Sequence, residues 1–138
     1  MPAFTEFADR VFPGLEKGGF HAAYYRVLEA FARGRIRRLM VTIPPQHGKS
    51  LGSTTLLPAY MLGLDPDLKI AIASYSAALA NRFNKRVQRI MDSALYRALF
   101  PGTSIKRAGE RSDYVRTADM AEVIGCSGDS FRSAGKVP

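Results

Sequence analysis

The residues with the clearest chemistry are Gly48-Lys49-Ser50, reached from Ile43 through Pro44-Pro45-Gln46-His47. A glycine at such a point lets backbone N–H groups come close to an anion. A helix beginning at the next residue turns its positive dipole end toward the same place. Lysine then reaches the outer phosphates of a nucleotide, and a serine hydroxyl takes a position on a divalent cation. The order is that of a G-x-x-x-x-G-K-[ST] loop with one departure, Ile43 standing where the first glycine is expected. Pro45, Gln46, His47, Gly48, Lys49 and Ser50 are therefore the candidate nucleotide-binding residues. Lys49 is the catalytic candidate and Ser50 the candidate Mg²⁺ ligand. A plainer reading of the same residues makes Gly48 an ordinary loop residue and Ser50 a helix cap.

A phosphate loop needs a strand before it and a helix after it, and the flanking sequence offers both. Leu39 to Ile43 reads as a buried strand ended by Pro44-Pro45, and a helix is expected from Gly48 to about Leu62, kinked or cut short by Pro58. Upstream, Phe20, Tyr24, Val27, Leu28 and Phe31 recur at helical spacing over about 20–33, with Gly34 as the stop. Downstream, Lys69 to Ser74 reads as a second strand buried on both faces. A third helix over about Ser76 to Met91 turns Leu79, Phe83, Val87, Ile90 and Met91 inward. A short segment from Ala94 to Phe100 follows, and Tyr114–Thr117 and Met120–Ile124 are expected to pair as two short strands. Alternating strands and helices predict an α/β domain with a parallel sheet.

The chain has 138 residues, room for one domain, with 46% hydrophobic and 23% charged residues, which argues against wholesale disorder. Its 20 Lys+Arg against 12 Asp+Glu give a formal charge of +8, which favours an acidic partner such as nucleic acid, nucleotide or an anionic surface. Arg82, Lys85, Arg86 and Arg89 share one face of the third helix and are candidates for contact with DNA or a neighbouring subunit, set against a simple solvated face. No apolar run is long enough to span a bilayer, and the first ten residues, with Glu6 and Asp9, lack the apolar stretch of a secretory signal. The single cysteine, Cys126, allows no internal disulfide and no Cys-based zinc framework, which fits a cytoplasmic setting. His21 and His47 lack a third ligand at a metal-binding spacing, and no G-x-S-x-G surrounds Ser74 or Ser76.

Five pieces in order carry a family likeness: Phe20-His21, Gly34-Arg35-Ile36-Arg37-Arg38-Leu39, Pro44-Pro45-Gln46-His47-Gly48-Lys49-Ser50, Ala73-Ser74-Tyr75-Ser76 with Leu79-Ala80, and Tyr96-Arg97-Ala98-Leu99-Phe100-Pro101. Over about residues 15–125 the chain resembles the N-terminal part of the large terminase subunit of tailed bacteriophages and prophages, the ATP-driven motor and nuclease that packages viral DNA. Many terminases also lack the first glycine. The resemblance implies an incomplete P-loop NTPase-like parallel sheet with flanking helices, with ATP and Mg²⁺ held by Gly48, Lys49 and Ser50. It implies adenine contact from the segment before the loop, where Phe20, His21 and Tyr24 are the candidates. It further implies double-stranded DNA, a small terminase subunit and a portal protein as partners, homo-oligomeric assembly, no membrane, and the bacterial host cytoplasm as the location.

Three features depart from the family pattern. Gln46 stands where many members carry an arginine, so it supplies no charge there. No Asp or Glu follows a run of four apolar residues, so the Walker B strand and the water-activating acid are not found and little or no ATPase activity is expected of these residues alone. After Gly125 the chain turns polar and aperiodic, as expected of a frame shift or truncation that leaves a gene remnant. The expected organisation is a lead-in over 1–19, a partial P-loop ATPase domain over 20–125, and a disordered or frame-shifted tail over 126–138. Without a neighbouring acidic strand, Leu39 to Ile43 would expose a sheet edge. The competing reading is a basic, non-enzymatic module that binds nucleic acid or packaging partners. A helicase-like or nucleotide-kinase domain would need acidic-strand or lid residues that are not found.

Overall fold

Phe4, Phe7 and Ala8 lie at helical spacing near the N-terminus, and all three are fully buried in helix α1 (Phe4–Val11). The computed structural model describes residues 1–15, 18–74, 76–105, 116–118 and 125–127. Helix α2 (Gly19–Ala32) turns Tyr24, Tyr25 and Leu28 inward. It ends where the sequence places its stop. Gly34 takes φ 72°, the Gly34 N–H donates to the Phe31 carbonyl, and the Arg35 N–H reaches back to Ala30, the hydrogen-bond pattern of a left-handed glycine cap.

The helix after the phosphate loop is a single rod of three kinds of turn: α3 (Lys49–Leu51), a wide π-turn (Gly52–Leu56) and α4 (Leu57–Leu64). Pro58 explains the change. It has no N–H for the Thr54 carbonyl, and its ring crowds that carbonyl, so a regular α-turn cannot close there. The Leu57 N–H instead bonds to Gly52, five residues back, and the rod continues to Leu64 without a break at the proline.

Helix α5 (Ala77–Asp92) buries Ala80, Val87, Ile90 and Met91, with Leu79 and Phe83 half-buried. Helix α6 (Ala94–Leu99) starts on Ser93, whose hydroxyl accepts from the Tyr96 N–H at 3.2 Å. The core is aromatic where α1, α2, α4 and α6 meet. The Phe4 ring lies 5.4 Å from Tyr25 and 5.1 Å from Tyr60, and the Phe7 ring 6.2 Å from Tyr96 and 5.8 Å from Phe100, all four near edge-on. Their hydroxyls are satisfied: Tyr96 donates to the Ala59 carbonyl at 2.8 Å, and Tyr60 donates to Pro2 while accepting from Arg33. Glu29 holds Arg33 and also accepts from the Phe4 N–H at 3.1 Å, so α1 is tied to α2 at its first turn. The segment expected as a lead-in thus supplies two fully buried rings.

The strands depart from expectation. Leu39–Ile43 joins neither ladder and makes no backbone hydrogen bond among the described residues. It alternates instead: Leu39, Val41 and Ile43 pack on the core while Met40 is 92% exposed and Thr42 open. Apolar residues in a row fill both faces of a strand only where neighbours cover both, and among the described residues one face is covered. The second strand is shorter than expected, β1 (Ile72–Ser74), and it too is one-sided, with Ile72 buried and Lys69, Ala71 and Ala73 exposed. It pairs in parallel with β4 (Gly125–Ser127), and β2 (Thr103–Ile105) pairs in parallel with β3 (Arg116–Ala118). Arg116–Ala118 pairs with Thr103–Ile105, and its expected neighbour Met120–Ile124 lies outside the described residues, as do Tyr114 and Val115. Of the expected tail, 128–138 also lies outside them.

Candidate phosphate-binding site

The loop from Ile43 enters α3 through two left-handed residues. Gln46 has φ 63° and Gly48 φ 75°, and Gln46 is the only non-glycine with positive φ among the described residues. Left-handed residues alternating with right-handed ones turn successive N–H groups toward one point, the geometry of an anion nest. A non-glycine held there stores backbone strain, which clusters at functional loops. The loop lines an open concavity of about 390 Å³, with Lys49 and Ser50 both exposed on its helical side. Among the described residues Lys49 has no ion-pair partner, so its charge is free for a ligand.

Side chains beneath the loop fix this shape. The His47 ring donates from Nδ1 to the Pro45 carbonyl at 2.7 Å, bracing the turn. His21 is buried and accepts at Nδ1 from the Gly18 N–H at 2.8 Å, so in the neutral ring the proton sits on Nε2. That nitrogen would lie 3.4 Å from a Cβ added to Gly48, so the N-terminal turn of α2 abuts the loop glycine. The Tyr24 hydroxyl donates to the Lys49 carbonyl at 3.0 Å, and Ser53 donates to the same oxygen at 2.7 Å. Burial is the main cause that raises the Tyr24 phenol above its ordinary pKa, with the Ser53 hydrogen bond opposing it. The Tyr24 ring reaches this position because residue 52 has no side chain. A Cβ on Gly52 would meet the ring at 2.7 Å.

Of the three candidate adenine contacts, Phe20 is 38% exposed, with its ring 4.0 Å from His21 and 5.9 Å from His47. His21 and Tyr24 are buried; His21 caps the first turn of α2 on Gly18, and Tyr24 holds the Lys49 carbonyl at the end of the loop. Gly52 and Ser53 were not singled out from the sequence. Their signal was small residues three and four positions after Lys49, which put no bulk against the loop. Ser50 presents a hard oxygen donor at the concavity, and Mg²⁺ in such loops takes its other ligands from phosphate and water, so the one protein oxygen fits that ion. Among the described residues no group of three or more His, Cys, Asp or Glu is placed to hold a metal by itself.

Arg82, Lys85, Arg86 and Arg89 are all exposed on α5, and none has an acidic partner among the described residues. They do not line the phosphate-loop concavity. No helix among the described residues is long and apolar enough to cross a membrane. No protein-family model, curated protein or solved structure matches the chain.

Proposed function

We propose that the chain is the ATP-binding N-terminal part of a DNA-packaging motor subunit resembling the large terminase of tailed phages and prophages. The observation that carries the reading is the left-handed Gly48 immediately before exposed Lys49 and Ser50, at the mouth of a loop that abuts His21 and is held at Lys49 by the Tyr24 hydroxyl. Polyphosphate sits against the N–H groups of the loop, Lys49 neutralises the outer phosphates, and Ser50 takes one position on Mg²⁺. The ion neutralises charge on the β- and γ-phosphates when it is bound. Phe20 offers its open face to the base. Gln46 replaces a charge with an amide, and the sequence has no acidic residue after a four-residue apolar run to orient water. The chain therefore binds Mg-ATP and turns it over slowly or not at all. Double-stranded DNA, a small terminase subunit, a portal protein and further copies of the chain are the proposed partners, in the bacterial host cytoplasm.

Titration with a fluorescent ATP analogue and Mg²⁺, beside a phosphate-release assay, tests this. Saturable binding lost in Lys49→Ala, with negligible release, supports the reading. Release at the rate of a complete P-loop enzyme, abolished by Lys49→Ala, contradicts the inactivity. A second reading has its own observation, the open four-cation face of α5. It makes the chain a basic module that binds nucleic acid without nucleotide, and predicts salt-sensitive DNA binding indifferent to Lys49→Ala.

A further inference from the structure

The four cations of α5 do not share one environment. Arg86 and Arg89 line a concavity of about 590 Å³ together with Arg10 at the end of α1, whereas Arg82 and Lys85 do not. The floor of this groove is apolar, made by Val11, Phe12, Ile90 and Leu95. Among the described residues no carboxylate lines it. Arg10 pairs with Glu6 at 2.8 Å, while Arg86 and Arg89 have no ion-pair partner among the described residues. Leu51 lines both this groove and the phosphate-loop concavity, so an occupant would lie against the residue that follows Ser50.

Guanidinium groups over an apolar floor select a ligand that brings both carboxylates and apolar side chains. A duplex backbone brings only charge and would leave the floor wet, whereas a peptide with acidic and apolar residues fills the floor and satisfies the rim. We propose that the groove between α1 and the α5–α6 corner docks an acidic amphipathic segment of a partner protein. The charge complementarity is local. It rests on Arg86 and Arg89, at i and i+3 of one helix, and is independent of nucleotide binding at the loop.

Selection of short random peptides displayed against the whole chain, followed by fluorescence anisotropy on the enriched sequences, tests this. The expected consensus combines Glu or Asp with Leu, Ile or Phe. Binding weakens about tenfold or more in Arg86→Gln/Arg89→Gln and stays within about twofold in Arg82→Gln/Lys85→Gln, an equal charge change off the groove. Circular dichroism melts of both double variants confirm that they fold; if the first pair does not, Arg86→Lys/Arg89→Lys replaces it, since lysine keeps the charge but loses the planar fork and weakens binding less. The proposal is overturned by no enrichment, by a consensus lacking carboxylates or apolar residues, or by equal loss in the two double variants. It is also overturned if a duplex DNA oligonucleotide displaces the peptide and loses affinity in the Arg86/Arg89 variant, which would make the face a DNA contact. Loss of ATP binding in Lys49→Ala with peptide binding intact keeps this result separate from the nucleotide reading.

Discussion

Gly48 carries two constraints at once. Its φ of 75° strains any residue with a Cβ, and that Cβ would sit 3.4 Å from His21 Nε2. The conformation alone costs an alanine roughly 1 kcal/mol. Gly48→Ala should therefore lower the melting temperature slightly, while weakening Mg-ATP far more, because the nest depends on that backbone angle; isothermal titration beside a melt separates the two. The Gly48-Lys49-Ser50 triplet was legible because its chemistry is local. What His21 and Tyr24 do was not. Both read as candidate base contacts from their place ahead of the loop, yet both are buried; His21 caps the first turn of its own helix on Gly18, and the Tyr24 hydrogen bond to Lys49 depends on how α2 lies across the loop, which sequence spacing does not encode.

The rod from Lys49 to Leu64 shows the same division at the scale of an element. Pro58 announced an interruption, and the chain answered with a π-turn rather than a kink or an end, because widening the ring to Gly52 frees the crowded carbonyl while α4 stays packed on α2 and α5. Thr55 within that turn is fully buried, and its hydroxyl has no hydrogen-bond partner among the described residues. Thr55→Val keeps the shape and removes the orphaned group, so it should stabilise the chain by about 1 kcal/mol, read as a higher urea midpoint at unchanged slope. A lower midpoint would show that the hydroxyl has a partner in solution. Helices α2 and α5 were readable from their spacing, since one apolar stripe suffices to place a helix. Leu39–Ile43 misread as a buried strand because Met40 and Thr42 would need a covering neighbour, and strand burial is set by partners that local pattern cannot reveal.

At the scale of the molecule, the largest fully buried side chains among the described residues are the rings of Tyr25, Tyr60, Tyr96, Phe4 and Phe7. Burial raises the phenols of Tyr24, Tyr25, Tyr60 and, most of all, Tyr96 above their ordinary 10.0. A buried phenol keeps its proton to higher pH than the same phenol in the unfolded chain, so above pH 10 the unfolded chain has released protons that the folded chain still holds, and that release favours unfolding. Stability is full below about pH 10 and falls as the pH rises beyond it. Tyr96→Phe should flatten that alkaline fall, and at neutral pH should cost about 1 kcal/mol through the lost hydrogen bond to Ala59. Urea melts at pH 8 and above pH 10 check both. The central claim, that a folded phosphate site survives in these residues, is tested most directly by a thermal melt with and without Mg-ATP, beside Lys49→Ala. A cooperative transition that Mg-ATP raises in the wild-type chain and leaves unmoved in Lys49→Ala is the predicted result. A transition indifferent to Mg-ATP in both chains would contradict it.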